Sequence, residues 1–197
     1  MKSKTLTLAA TAIAAALAIG GVPAQAQLPK LAGGPAAAPA AGQTLTHANG
    51  YSVTVPSDWV VATDIEGTDF MMGNADLSVI CQTFSAPGLD MKATDDQIKA
   101  ELSTADLGAD FFTQLLFSGA PELAFESTGP QPDHPGGWPF QRAVATAKID
   151  NTPHTAYAFA TFKAKTLFAG YCFTESAKLA AGKDSMNAVI DSIRILK

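Results

Sequence analysis

Short runs of alternating apolar and polar residues organise this chain from its middle onward, and the sharpest runs from Gly50 to Val60. Tyr51, Val53 and Val55 alternate with Ser52 and Thr54, the period-two pattern of a half-buried strand. Pro56 has no N–H for a ladder and stops that strand. Ser57 and Asp58 turn the chain, and Trp59 drops back as an aromatic anchor. Before it, residues 44–47 predict a first short strand, joined through Ala48-Asn49-Gly50, where Asn-Gly is a strong hairpin signal. After it, residues 60–61, 70–72 and 77–84 predict further strands separated by polar turns containing glycine. Within 77–84, Leu77, Val79 and Cys81 share one face while Ile80 and Phe84 share the other, so this sheet should be covered on both sides.

The period then changes. Thr94-Asp95-Asp96-Gln97 is a capping box: the Thr94 hydroxyl can accept an N–H of the first turn and Gln97 can reach back. The two aspartates suit the positive end of the helix dipole, and Ile98 and Leu102 fall on one face. Residues 106–117 predict a second helix, or a continuation, with Leu107, Phe111, Phe112 and Leu115 inward and Gly119-Ala120-Pro121 as its stop. A short strand is expected at 123–127, and a proline-rich loop at 129–139. Residues 140–150, 155–163 and 167–174 then read as consecutive antiparallel strands with turns at 150–153 and 164–165. Ala143, Ala145, Ala147, Ala156, Ala158 and Ala160 leave room for a helix to pack closely on them. A last helix is expected at 184–193, with Asp184 as N-cap and Met186, Val189, Ile190 and Ile193 as its buried stripe. Strands, helices, strands, helix is the order of an α+β fold, an antiparallel β-sheet flanked by helices.

Composition narrows the function classes. The 197 residues are 47% hydrophobic with a formal net charge of -5. A chain with that charge lacks the basic face that phosphate neutralisation needs, which argues against nucleic acid. It is also a poor match for an anionic membrane surface. A soluble monomer is the expectation. The first residues read as an address: Lys2 and Lys4, an uncharged alanine-rich stretch, then Ala24-Gln25-Ala26 as a small-x-small cleavage site. Residues 1–26 are thus expected to be a cleaved signal peptide, too short and too alanine-rich for a retained span. The first cysteine is Cys81, so no lipid anchor is expected at the cleavage site. Residues 27–43, rich in proline and alanine, read as a flexible linker, and 44–197 as the folded domain. The expected location is the periplasm or the exterior.

Candidate chemistry is sparse. Cys81 and Cys172 are the two cysteines, each in the middle of an expected strand. In an oxidising compartment a bridge between them is preferred over two buried thiols. It would close a loop of about 90 residues, contributing roughly 4–5 kcal/mol in the chain-entropy view. His47, His134 and His154 are isolated, with no metal-ligand spacing around them, and His47 and His154 at strand ends should be solvated. There is no Gly-x-Ser-x-Gly elbow and no phosphate-cradling glycine loop. No catalytic residue, metal or cofactor is therefore assigned. The long loop from Gly129 to Pro139 stands out, and Asp133, His134 and Trp138 in it are the candidate interaction residues. Trp138 is either an exposed contact residue or a cap on the core.

The chain resembles the PsbP/DcrB-like superfamily. The resemblance rests on the opening Gly50-Tyr-Ser-Val-Thr-Val-Pro-Ser-Asp-Trp59, on the strand–helix–strand–helix order, and on the closing Val189-Ile-Asp-Ser-Ile-Arg-Ile195, similar to that family's terminal helix. It implies an antiparallel sheet flanked by helices, and accessory or binding roles with no shared catalytic constellation. This chain lacks the many lysines of the photosynthetic members, which argues against a photosystem role. The expected function is an exported accessory or binding module contacting an envelope protein or a small ligand. The alternative is a periplasmic enzyme with a scattered active site, which a deep pocket with convergent polar groups near Asp133, His134 or His154 would reveal.

Overall fold

Residues 42–63 and 65–196 are described by the computed structural model. The expected signal peptide, and the expected linker as far as residue 41, lie outside the described residues. Gln43, read as the linker's last residue, instead opens the first strand. In chain order the elements are β1 (Gln43–His47), β2 (Tyr51–Val55), β3 (Trp59–Ala62), β4 (Phe70–Asn74) and β5 (Val79–Ala86). Then come α1 (Asp95–Thr104), α2 (Gly108–Leu116), β6 (Ala124–Gln131), β7 (Phe140–Ile149), β8 (Thr152–Lys163) and β9 (Thr166–Glu175). A 3-10 turn, Ser176–Lys178, leads into α3 (Leu179–Asp191), and β10 (Arg194–Ile195) closes the chain.

A seven-stranded antiparallel sheet runs in the order β3-β4-β5-β9-β8-β7-β6, and a three-stranded sheet in the order β1-β2-β10. The period-two pattern sorts side chains to the two faces of the large sheet. Val79, Cys81, Phe159, Phe168 and Cys172 meet Tyr51, Val53 and Val55 of the small sheet and Met186, Val189, Ile190 and Ile193 near α3. On the other face Ala143, Ala145, Ala156, Ala158, Ala160 and Phe162 meet Ile98 and Leu102 of α1 and Phe111, Phe112 and Leu116 of α2. The alanine rows therefore do let helices approach the sheet. Fully buried Gln141 fixes the joint between those helices. Its Nε2 donates to the carbonyls of Leu102 and Ala105, each at 2.9 Å, and its Oε1 accepts the Leu107 N–H at 3.2 Å.

Cys81 and Cys172 are direct cross-strand partners on β5 and β9 and are joined by a disulfide. The Thr94 capping box forms as the sequence demands. Four boundaries differ, each for a physical reason. Leu77 lies in the turn before β5, with φ 55, so it does not share the face of Val79. β6 runs through residues read as loop, because it is an edge strand, where a proline such as Pro130 is tolerated. α3 begins before Asp184, which is therefore an interior helical residue and not an N-cap. Gly182 looks like a breaker, yet it is buried, and a Cβ there would lie 2.7 Å from Val79 Cγ2, so its smallness lets α3 touch β5. Finally, the closing residues do not continue the helix: after Ser192 they pair as β10 with Ser52 and Tyr51 of β2. Ser52 is buried for that reason, since β2 is central in its sheet.

Candidate functional site

The connection from β6 to β7, residues 132–139, is anchored from below by His134, which is 2% exposed. Its ring stacks on Phe140 with centroids 3.8 Å apart. Nδ1 accepts the Gly136 N–H at 3.0 Å, which leaves Nε2 to donate to the Ile190 carbonyl at 3.2 Å. Burial depresses the pKa of His134; the Ile190 carbonyl and Asp191 oppose this, and Arg142 and Arg194 reinforce it. A neutral imidazole thus ties the loop to the end of α3. The contact is close at Gly136 too, where a Cβ would sit 2.5 Å from the Ile193 carbonyl oxygen. Of the three loop residues singled out from the sequence, His134 points inward, Asp133 is exposed and Trp138 is half-buried.

Trp138 packs on the helix-side core, and its Nε1 donates to the Phe162 carbonyl at 3.1 Å. The indole is thereby fixed in orientation. Two ammonium groups converge on it: Lys163 Nζ lies 4.9 Å and Lys99 Nζ 5.8 Å from the ring. An aromatic face attracts cations through its quadrupole. Sequence reading found the tryptophan but not the lysines, because they come from α1 and β8 and meet it only through the fold.

A polar knot joins the two sheets on the other side. Asp69 Oδ2 accepts from Ser85 Oγ at 2.5 Å and from the Tyr51 hydroxyl at 3.1 Å. That hydroxyl also pairs with Thr83 Oγ1 at 2.7 Å, and Asn49 Nδ2 donates to Ser85 Oγ at 2.8 Å. Burial pushes the pKa of Tyr51 upward, so its hydroxyl keeps its proton. His47 lies at the rim, its Nδ1 3.5 Å from Asp69 Oδ2 and accepting the Asn49 N–H at 3.3 Å. It is not simply solvated, since its ring also meets Tyr51 at a tilt and Phe70 edge-on. Serine, histidine and aspartate meet here, but not as a nucleophilic relay. A relay needs one imidazole nitrogen on the serine and the other on the carboxylate. Here the serine proton goes to the carboxylate, and one nitrogen faces both groups. The knot pins the β1–β2 hairpin to the large sheet.

His154, at the start of β8, lines a shallow depression of about 110 Å³ with Asp76, Ser78, Glu175 and Lys178. Small-molecule sites enclose roughly 300–1,000 Å³, so this hollow is small for an organic substrate. Its charges are also mutually engaged: Lys178 Nζ is 3.0 Å from Glu175, and Ser78 hydrogen bonds hold the Asp76 carboxyl below the usual range. Among the described residues no group of three His, Cys, Asp or Glu side chains could hold a metal ion. No helix among them is long and apolar enough to cross a membrane.

The large sheet with helices on one face, and α3 with the small sheet on the other, matches a solved structure. The PsbP of the cyanobacterium Synechocystis sp. PCC 6803 aligns over 84% of this chain and 98% of its own, with a TM-score of 0.54 and 11% identity. The fold is that of PsbP. LpqN of Mycobacterium tuberculosis, a protein involved in cell envelope biogenesis, aligns over 79% of this chain and 90% of its own, with a TM-score of 0.49 and 11% identity. No protein-family model matches the sequence, and no curated protein does. The PsbP fold agrees with the resemblance read from Gly50–Trp59 and from the element order. At this identity it establishes architecture and leaves the role to the surface.

Proposed function

We propose that this chain is an exported accessory module that docks on a protein partner through the β6–β7 loop and the surface around Trp138. The observation that carries the reading is the loop's construction. Its underside is clamped by His134, while Pro132, Asp133, Pro135 and Gly137 stay exposed beside an indole of fixed orientation. A pre-ordered loop loses little conformational freedom on binding, and tryptophan is enriched where interfaces gain most of their energy. The shallow hollow at His154 favours a surface-contact role over turnover of a buried substrate. Export is supported by the disulfide and by the Lys2–Lys4, apolar, Ala24-Gln25-Ala26 sequence at the start.

The test is site-specific photocrosslinking in the native envelope, with the reactive residue at Asp133 and, as control, at exposed Asp58 in the β2–β3 turn. A discrete adduct from position 133 and none from 58 is the expected result. Equal adducts from both positions, or none from 133, would refute docking through this loop.

A further inference from the structure

We infer that Lys99 and Lys163 form, over the Trp138 indole, a receptor for a carboxylate-rich segment of a partner protein. This rests on the docking reading above and names the chemistry of the partner. The ammonium groups lie 5.8 and 4.9 Å from one ring. Two ammonium groups held near one aromatic ring concentrate positive potential there, and a chain carrying several carboxylates can answer both while leaving the cation–π contacts intact. Neither lysine enters any of the ion pairs among the described residues, which engage Lys148, Lys178, Arg142 and His47. That is notable in a chain of net charge -5.

Neighbouring positive charge extends the site. Lys165 follows Lys163 across the β8–β9 turn, and its carbonyl accepts the Leu89 N–H, which brings the segment before Lys92 alongside. Asp95, one turn before Lys99 on α1, turns one carboxylate oxygen to the β8–β9 turn, its Oδ1 accepting the Ala164 N–H at 2.9 Å. Asp96 lies beside it at the helix start, where the dipole favours a carboxylate. Each exposed lysine–carboxylate contact is worth only a few-fold in affinity. A single free anion is therefore a weak ligand here. A run of carboxylates on one chain gains from having several contacts at once. The fixed indole gives such a segment a rigid floor.

The probe is fluorescein-labelled hexaglutamate, followed by anisotropy against the whole protein, with hexaglutamine and polygalacturonate as comparisons. Hexaglutamate should bind while hexaglutamine does not. The double variant Lys99→Gln/Lys163→Gln should weaken binding about tenfold. Raising salt from about 50 to about 300 mM should weaken it several-fold through screening. Equal binding of the two peptides, or binding indifferent to the double variant, would overturn the inference. Lysine-dependent binding of polygalacturonate without hexaglutamate would also overturn it, in favour of an anionic glycan. The two proposals fail separately. An Asp133 adduct that survives the double variant leaves the docking loop standing and removes the acidic segment. Lysine-dependent hexaglutamate binding without any Asp133 adduct does the reverse.

Discussion

At the scale of single residues, His134 makes the loop sensitive to acid. Its pKa in the folded protein is depressed by burial, below the value of about 6.5 in an unfolded chain. Between those two values the unfolded chain binds more protons, so stability falls as pH falls. The contribution is complete above about pH 6.5 and is lost as pH descends toward the folded-state pKa, with a slope of up to about 1.4 kcal/mol per pH unit. A proton added at Nδ1 would face the Gly136 N–H that this atom now accepts. Urea unfolding across pH 5–7 should therefore show a steeper acid decline in the wild type than in His134→Gln, and equal slopes would mean that His134 does not govern it. Trp138 carries the opposite lesson. It packs on the core and donates to Phe162, so Trp138→Ala should cost about 2–3 kcal/mol in the same assay. A change below about 0.5 kcal/mol, the usual range for surface positions, would show the ring to be unsupported. Binding tests on this surface are accordingly cleaner with the lysine variants.

At the scale of elements, Gly182 shows why propensity alone misplaces α3. Replacing an interior helical glycine by alanine ordinarily gains up to about 1 kcal/mol. Here the added Cβ would meet Val79 Cγ2 at 2.7 Å, and overpacking typically costs about 1–3 kcal/mol. Gly182→Ala should thus destabilise on thermal unfolding, and a raised Tm would show that the helix can slide off β5. The same competition explains what the sequence disclosed. β8 and β9 are buried almost continuously, because one face meets α1 and α2 and the other meets α3 and the small sheet, so they could be read as apolar runs bounded by turn residues. Asp95–Thr104 was legible from its cap. β6 was truncated by Pro130, whose cost vanishes only at a sheet edge. β10 is two residues long, and its partner β2 lies at the other end of the domain. The site was legible in part: the prolines and Trp138 marked the loop. Lys99 and Lys163 carried no local signal, and the knot draws on residues as distant as His47 and Ser85.

At the scale of the whole molecule, the sheet consists of two antiparallel ladders that meet at one seam. β3, β4 and β5 form one side, β6 to β9 the other, and β5 pairs with β9 between them. Cys81–Cys172 bonds across that seam with a sequence separation of 91. Replacing both cysteines by alanine should lower unfolding free energy by roughly 4–5 kcal/mol, read as a shifted urea midpoint. An unchanged midpoint would show that the non-covalent ladder alone closes the sheet. α1, α2, the exposed stretch around Ser118 to Glu122 and the loop at 132–137 all fall between the two cysteines in sequence. A protease that cuts once in any of these connections therefore produces two polypeptides that remain one covalent particle. On a gel the nicked protein should run as a single species without reductant and as two with it. A protein of this layout can be clipped at its surface without shedding half its sheet.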